Sequence, residues 1–285
     1  MTVSTGNVFE TISQKYYDLT ASEKKTADYL MAHQEESQYM SIAELAEESG
    51  VAEATVSRFC RRLGYKGYNA FKLAIANSTA RLRQETPAPA ETDADSLEEL
   101  SQKLYAVDSA ALAQTMELMD FGAVRRAVDS LEQAERVWCM GQGGSMLIAS
   151  EAAHLFSTVG ARFFAVSDSH LQIIRAANMG EKDAVLFFSY SGATRDMMET
   201  LQVARERGAR IVLITRFAKS PGGGLADVVL RCGANESPLQ LGSVAAKVAQ
   251  LLLIDVLFAE YCRRAPERCE ESRDRVAAAI ADKHL

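Results

Sequence analysis

The stretch AVLFFSYSGAT, residues 184–194, runs five apolar residues straight into Ser189, Tyr190, Ser191, Gly192 and, one residue later, Thr194. An unbroken apolar run of this length fits a strand buried on both faces, as in a parallel sheet covered by helices. The small and hydroxylated residues that follow mark a tight turn into a helix. Such a turn presents free backbone N–H groups and the positive end of the helix dipole, and hydroxyls there complete a cage for an anion such as phosphate. An ordinary strand-to-helix turn with Ser191 as N-cap uses the same residues. The rest of the chain has to choose between the two.

Four more strand-like runs flank this one, at 136–140, 161–165, 210–215 and 228–231, and helical patterns separate them, clearest at 148–159 and 197–207. Apolar strands alternating with helices predict an α/β domain with a doubly wound parallel sheet, here placed at residues 126–285. A second small-residue turn lies after the first strand, in CMGQGGSMLIASEAAHLF (139–156), where Gly141, Gly143 and Gly144 precede Ser145. It is not a full GxGxxG, and no acidic ribose anchor follows at the right distance, so a dinucleotide site is excluded. Glycines still allow the backbone close to an anion, and Ser145 adds a hydroxyl at a helix start. Both turns follow strand carboxyl ends, where doubly wound sheets collect their ligands.

Upstream the composition changes. QETPAPAETDADS (84–96) has two prolines, several acids and no large apolar residue, and reads as an extended linker. It lies within a connecting segment assigned to 81–125, which also holds the start of a helical stretch at 97–133. Residues 1–80 show helical periodicity without a strand, and SIAELAEESGVAEATVSRFCRRLG (41–64) has the anatomy of a helix-turn-helix. Ser41 and Glu44 have capping-box spacing, Gly50 sits at the turn, and Val51 plugs the angle between helices. Thr20 and Glu23 repeat the capping box on a supporting helix. Val56, Phe59, Cys60 and Leu63 form one apolar stripe, leaving Glu53, Ala54, Ser57, Arg58 and Arg61 on the other side. Arginines at such a place can fork onto guanine or phosphate. The exposed set predicted to meet DNA also takes in Thr55, Arg62 and Lys66. Residues 52–83 hold seven basic side chains against one acid, although the 285-residue chain carries a net charge of −7. A basic island in an acidic chain is the footprint of a small DNA-reading element rather than a general nucleic-acid coat.

Other signals narrow the class. The opening MTVSTGNVFETISQKYY lacks the basic and apolar regions of a secretory leader, and no uncharged apolar run approaches a membrane span. The five cysteines are scattered without a CxxC pair, which suits reduced thiols in a cytoplasm better than a zinc site. No cofactor is expected. Met116 and Met119 read as packing residues, and His33, His154 and His284 as structural ones.

The helix-turn-helix residues Ala43, Glu44, Leu45, Ala46, Gly50, Val51, Ala54, Thr55, Val56, Ser57, Arg58, Phe59, Leu63 and Gly64, followed by Tyr65, Lys66, Gly67 and Tyr68, resemble the N-terminal domain of the RpiR (MurR/RpiR) family of bacterial regulators. Ala52 departs from that pattern, which often has a serine as N-cap. The Gly-x-Gly-x-Ser and Ser-x-Ser-Gly-x-Thr turns, with the order of the strands, resemble the sugar isomerase (SIS) domain. The resemblance covers nearly the whole chain and implies an SIS-type sheet binding a phosphosugar. It carries Ser145, Ser189, Ser191 and Thr194 over as phosphate ligands, helped by the backbones of Tyr190 and Gly192 beside Gly141 and Gly143. His170, after the second strand, can reach the sugar or be a plain surface histidine. Glu236, before a long apolar helix at 244–258, resembles the third ligand-side segment or else belongs to a polar loop capping that helix. The implied function is a cytoplasmic, non-enzymatic transcription regulator, more often a repressor in this family. It would read palindromic operator DNA as a homodimer or homotetramer under control of the phosphosugar. The alternative is an aldose–ketose phosphosugar isomerase with an accessory helical domain, in which Glu236 or His170 would have to move the proton.

Overall fold

A computed structural model describes residues 7–85, 96–235 and 243–281 of the chain, so most of the linker stretch at 84–96, and also Glu236 and His284, lie outside the described residues. The chain divides into two compact units, the first reaching Ser101 and the second starting at Gln102.

The first unit is helical: α1 (Val8–Lys15), α2 (Ala21–Ala32), α3 (Ile42–Glu48), α4 (Glu53–Arg62) and α5 (Tyr68–Glu85). Both expected capping boxes are present. Thr20 and Ser41 each accept the N–H of the glutamate three residues on, whose carboxylate returns to the cap backbone. α3 and α4 both end in Schellman turns, with Gly50 at φ +63° and Gly64 at φ +103°. The Val51 N–H donates to the Ala46 carbonyl (2.9 Å) and the Tyr65 N–H to that of Cys60 (3.0 Å). Val56, Phe59, Cys60 and Leu63 of the apolar stripe pack with Leu30, Leu45, Phe71 and Ile75 in one core, and Val51 lies against it.

The second unit holds β1 (Arg136–Gly141), β2 (Phe163–Val166), β3 (Asp183–Phe188), β4 (Arg210–Thr215) and β5 (Val228–Arg231), all parallel, in the order β2-β1-β3-β4-β5. Alternate residues of each strand enter opposite cores. Val137, Cys139, Leu186, Phe188 and Ile214 meet α7 (Phe121–Gln133), α8 (Gly144–Ser157) and α11 (Val244–Arg264). Trp138, Met140, Phe187 and Leu213 meet the other layer, which includes α9 (Ser169–Ala177) and α10 (Arg195–Glu206). The chain is thus an all-α domain and a doubly wound parallel sheet flanked by helices. α12 (Pro266–Ile280) follows α11.

α6 (Leu97–Leu118) precedes the sheet. Its C-terminal half is tied to the end of β5, because the Gly233 N–H donates to Thr115 Oγ1 (2.8 Å) and the Ala234 N–H to Gln114 Oε1 (3.2 Å).

Several bounds differ from the sequence reading. β2 starts at Phe163, and just before it the Arg162 guanidinium donates to the carbonyls of Glu132 and Ala134 (2.9 Å each), at the end of α7. α8 starts at Gly144, inside a Gly-Ser stretch with weak intrinsic helix preference that packing overrides.

Candidate functional site

The order in which the chain adds strands reverses between β1 and β3, which are parallel neighbours with β2 lying on the far side of β1. Gly141 pairs with Phe188, so the two strands end level and their following turns emerge side by side. This is the crevice in which an open parallel sheet holds its ligand.

In the first turn a Cβ on Gly141 would stand 2.8 Å from the Ser145 carbonyl, a backbone contact that admits only glycine. Gly143 is the N-cap of α8 and supplies no side-chain capping bond; Ser145, half-buried, is in the first helical turn. Gln172 of α9, fully buried, fixes this turn from below. Its Nε2 donates to the carbonyls of Gly141 (3.0 Å) and Val166 (2.7 Å), and its Oε1 accepts from Gln142 (2.8 Å).

In the second turn Ser189 is buried and its hydroxyl accepts the Gly192 N–H (3.1 Å), while the exposed Ser191 hydroxyl accepts that of Ala193 (3.3 Å). Gly192 has φ +60°, and a Cβ there would collide with the Ser220 side chain. The Thr215 hydroxyl donates to the Tyr190 carbonyl (3.0 Å) and the Gly222 N–H to the Gly192 carbonyl (2.8 Å). Tyr190 packs edge-on against Phe217, and its hydroxyl donates to the Ala234 carbonyl (3.1 Å). The N-cap of α10 is Thr194, exposed and without a capping bond, rather than Ser191.

Lys247, on the first turn of α11, is a residue that sequence reasoning missed. Its Nζ lies 3.7 Å and its Cε 3.2 Å from where a Gly144 Cβ would stand, so the ammonium sits over the start of α8. It forms no ion pair among the described residues. A cation held at the positive end of a helix is unfavourable unless an anion shares the place. His170 is exposed on the first turn of α9, beyond the end of β2. Among the described residues, no three His, Cys, Asp or Glu side chains are grouped so that they could hold a metal ion. Burial pushes the thiols of Cys60 and Cys139 up to about 12, which makes them inert packing groups.

On α4, Glu53, Ala54, Arg58, Arg61 and, just after it, Lys66 are exposed, and Ser57 is half-buried. Two expected members are placed elsewhere. Thr55 is buried, and its hydroxyl accepts from Arg58 Nη2 (3.1 Å), so it steadies that arginine from beneath. Arg62 turns away to the buried Glu23 (3.2 Å) and the Asp18 carbonyl (3.0 Å). Burial raises the Glu23 pKa, but bonds from Thr20 and the Arg62 charge outweigh that and hold it below the usual range. Ala52, the N-cap of α4, makes no capping bond, as its methyl side chain dictates.

Comparison with known proteins bears on both sites. Residues 6–81 match the helix-turn-helix domain of the rpiR family, and residues 130–260 match the SIS domain. An uncharacterized HTH-type transcriptional regulator of Haemophilus influenzae is 31% identical over 257 residues, 89% of each chain. Among solved structures, the NanR protein of Vibrio vulnificus complexed with ManNAc-6P superposes with a TM-score of 0.85 at 26% identity, over 98% of this chain and 100% of that one. The sugar isomerase domain of an RpiR transcription factor from Sphaerobacter thermophilus matches 63% of this chain and 98% of its own, with a TM-score of 0.58 and 26% identity. The curated relatives that match along most of the chain are named transcriptional regulators, so the regulator reading stands over the isomerase alternative.

Proposed function

Because the chain belongs to the rpiR family of helix-turn-helix transcriptional regulators, we propose that it is a cytoplasmic repressor released from its operator by a phosphosugar. The observation that carries the effector class is the pair of uncapped helix starts at the sheet's switch point with the Lys247 ammonium over one of them. The phosphate sits among Ser145, Ser189, Ser191 and Thr194 with Lys247 as counter-charge, and the backbones of Gly141, Gly143, Tyr190 and Gly192 shape the cradle. His170 and Glu236 take the sugar side. ManNAc-6P, the ligand of the NanR neighbour, is the first compound to try.

On DNA, Glu53, Ala54, Ser57, Arg58, Arg61 and Lys66 of a 1–80 domain form the reading face, while Thr55 and Arg62 support it. Residues 81–125 connect this domain to the effector domain at 126–285. Two such faces in a homodimer, or a pair within a homotetramer, read a palindromic operator. Purified protein is screened by thermal shift against sugar phosphates, since a ligand that binds only the folded state raises its melting temperature. A duplex selected from random sequence is then titrated with and without the hit. The reading predicts a raised melting temperature and loss of DNA binding on addition of the same compound. A protein that no sugar phosphate stabilises, or one that interconverts them, overturns it.

A further inference from the structure

Ala234, which is buried, is the one non-glycine residue at positive φ (+79°) among the described residues. That backbone conformation disfavours any side chain with a Cβ and persists where the surroundings over-determine it. Three bonds do so here. The Tyr190 hydroxyl donates to the Ala234 carbonyl (3.1 Å), the Ala234 N–H donates to Gln114 Oε1 (3.2 Å), and the Gly233 N–H donates to Thr115 Oγ1 (2.8 Å). Thr115, fully buried, in turn donates to the Ala111 carbonyl (2.7 Å). A Cβ on Gly233 would stand 2.5 Å from that same carbonyl oxygen, so the backbone after β5 lies directly on α6.

Tyr190 belongs to the turn after β3, where its own carbonyl accepts from the Thr215 hydroxyl (3.0 Å) and the Arg216 N–H (3.1 Å). Its side chain ties that turn to residue 234, and residue 234 is tied on to α6. α6 is also the element in which the chain passes from the first unit to the second. A turn that shifts on taking up an anion moves the Tyr190 hydroxyl with it. A strained residue bonded at both its N–H and its carbonyl has little slack to absorb the movement. We propose that Gln114 and Thr115 are positioning residues of the anion turn, acting through Ala234 and Tyr190, and that the same bonds carry occupancy of the turn to α6. The coupling is reciprocal: what α6 does to the anion's affinity, the anion does to the state of α6.

The proposal rests on the anion site set out above, and its test has one arm that needs no anion. Amide hydrogen exchange of the full-length protein, read by mass spectrometry, follows residues 102–118 and 189–194. Without ligand, Gln114→Leu is expected to speed exchange about tenfold in both segments, with circular dichroism checking that the fold is kept. Gln114→Glu, whose carboxylate still accepts the Ala234 N–H, restores the unaltered pattern. A role confined to helix packing would speed residues 102–118 alone. With inorganic phosphate, and then with ManNAc-6P, exchange in the unaltered protein is expected to slow about threefold or more in both segments. In Gln114→Leu the same anions slow 189–194 alone. Thr115→Val, which strands the Gly233 N–H, repeats that result through the second bond, and Thr115→Ser keeps the coupling. A folded Gln114→Leu variant whose turn exchanges normally, or an anion that protects the turn of the unaltered protein and leaves α6 unchanged, would overturn the proposal. Protection of neither segment speaks against the anion site, and the ligand-free arm then decides the proposal alone.

Discussion

Within the helix-turn-helix, α3 and α4 begin in opposite ways. The start of α3 is closed twice, by the Ser41 hydroxyl and by the returning Glu44 carboxylate, while α4 begins at an alanine with no side-chain bond. The same contrast recurs at the sheet, where Asp168 closes α9 but Gly143 and Thr194 leave α8 and α10 open. Asn7, Thr20, Asp120 and Ser243 close four more helices. α12 is also uncapped, but Pro266 at its first position removes one of the donors. A helix start left open keeps its backbone donors for something outside the chain. The open starts of α4, α8 and α10 lie at the proposed DNA-reading face and the proposed anion cradle.

The strongest way to break that contrast is to close an open start. Thr194→Asp gives α10 a carboxylate cap and places a charge against the phosphate. Effector affinity is expected to fall about a thousandfold (roughly 4 kcal/mol), while the melting temperature holds or rises. Calorimetry with the cognate sugar phosphate, paired with thermal unfolding, checks both halves. Removing hydroxyls instead of adding charge has the next largest effect. Ser189→Ala with Ser191→Ala is expected to cost at least about a hundredfold (~2.7 kcal/mol) in effector affinity and nothing in effector-free DNA binding. Part of that loss comes through the Gly192 N–H that Ser189 now holds.

On the DNA side, Arg58→Ala is expected to cost about 1–3 kcal/mol of operator binding and to relax preference at one base. Arg62→Ala, which leaves the buried Glu23 without its partner, lowers the melting temperature and leaves base preference intact. A selection profile that shifts for Arg62 and not for Arg58 would reverse their roles. Smaller and opposite shifts come from the caps themselves. Ser41→Ala lowers stability by about 1 kcal/mol and Ala52→Ser raises it by about as much, read from urea midpoints.

Acid supplies the mildest test. The N–H groups of Ala123 and Gly122 hold the Asp120 carboxyl below its ordinary 3.8, and Glu23 lies below its ordinary 4.5. A carboxyl with a depressed folded pKa contributes stability above its unfolded value and loses it as pH falls through the folded one. Stability is therefore expected to drop below about pH 4.5, and Asp120→Asn flattens part of that slope.

The strands and helices were legible because their signals are local: continuous apolar runs, capping boxes, and glycines at turns. The convergence of two turns was also legible, since strand carboxyl ends in such a sheet share a side. Arg62 was not, because its partner Glu23 belongs to another helix and nothing near Arg62 points to it. Thr55 sits at the edge of the apolar stripe, where one flank faces water and the other the core, and only packing decides between them. Lys247 and Gln172 look like ordinary helical residues in the sequence. Their positions over and under the glycine turn come from α11 and α9 folding onto it. The start of α8 was legible at Ser145 from the turn, although the apolar periodicity of that helix shows clearly only from Ile148.

The brace around Gly192 bears on how such a protein can be changed. Its left-handed turn is wedged against Ser220 and bonded from Thr215 and Gly222, so drift at any one of these positions is punished by the others. His170 supports no turn and stands exposed. A lineage, or an engineer building a biosensor, that seeks a different metabolite can vary such a position without disturbing the turn. Under the proposed function, recognition of new molecules then evolves around an unchanging anion grip, and the reachable metabolites are those that carry a phosphate.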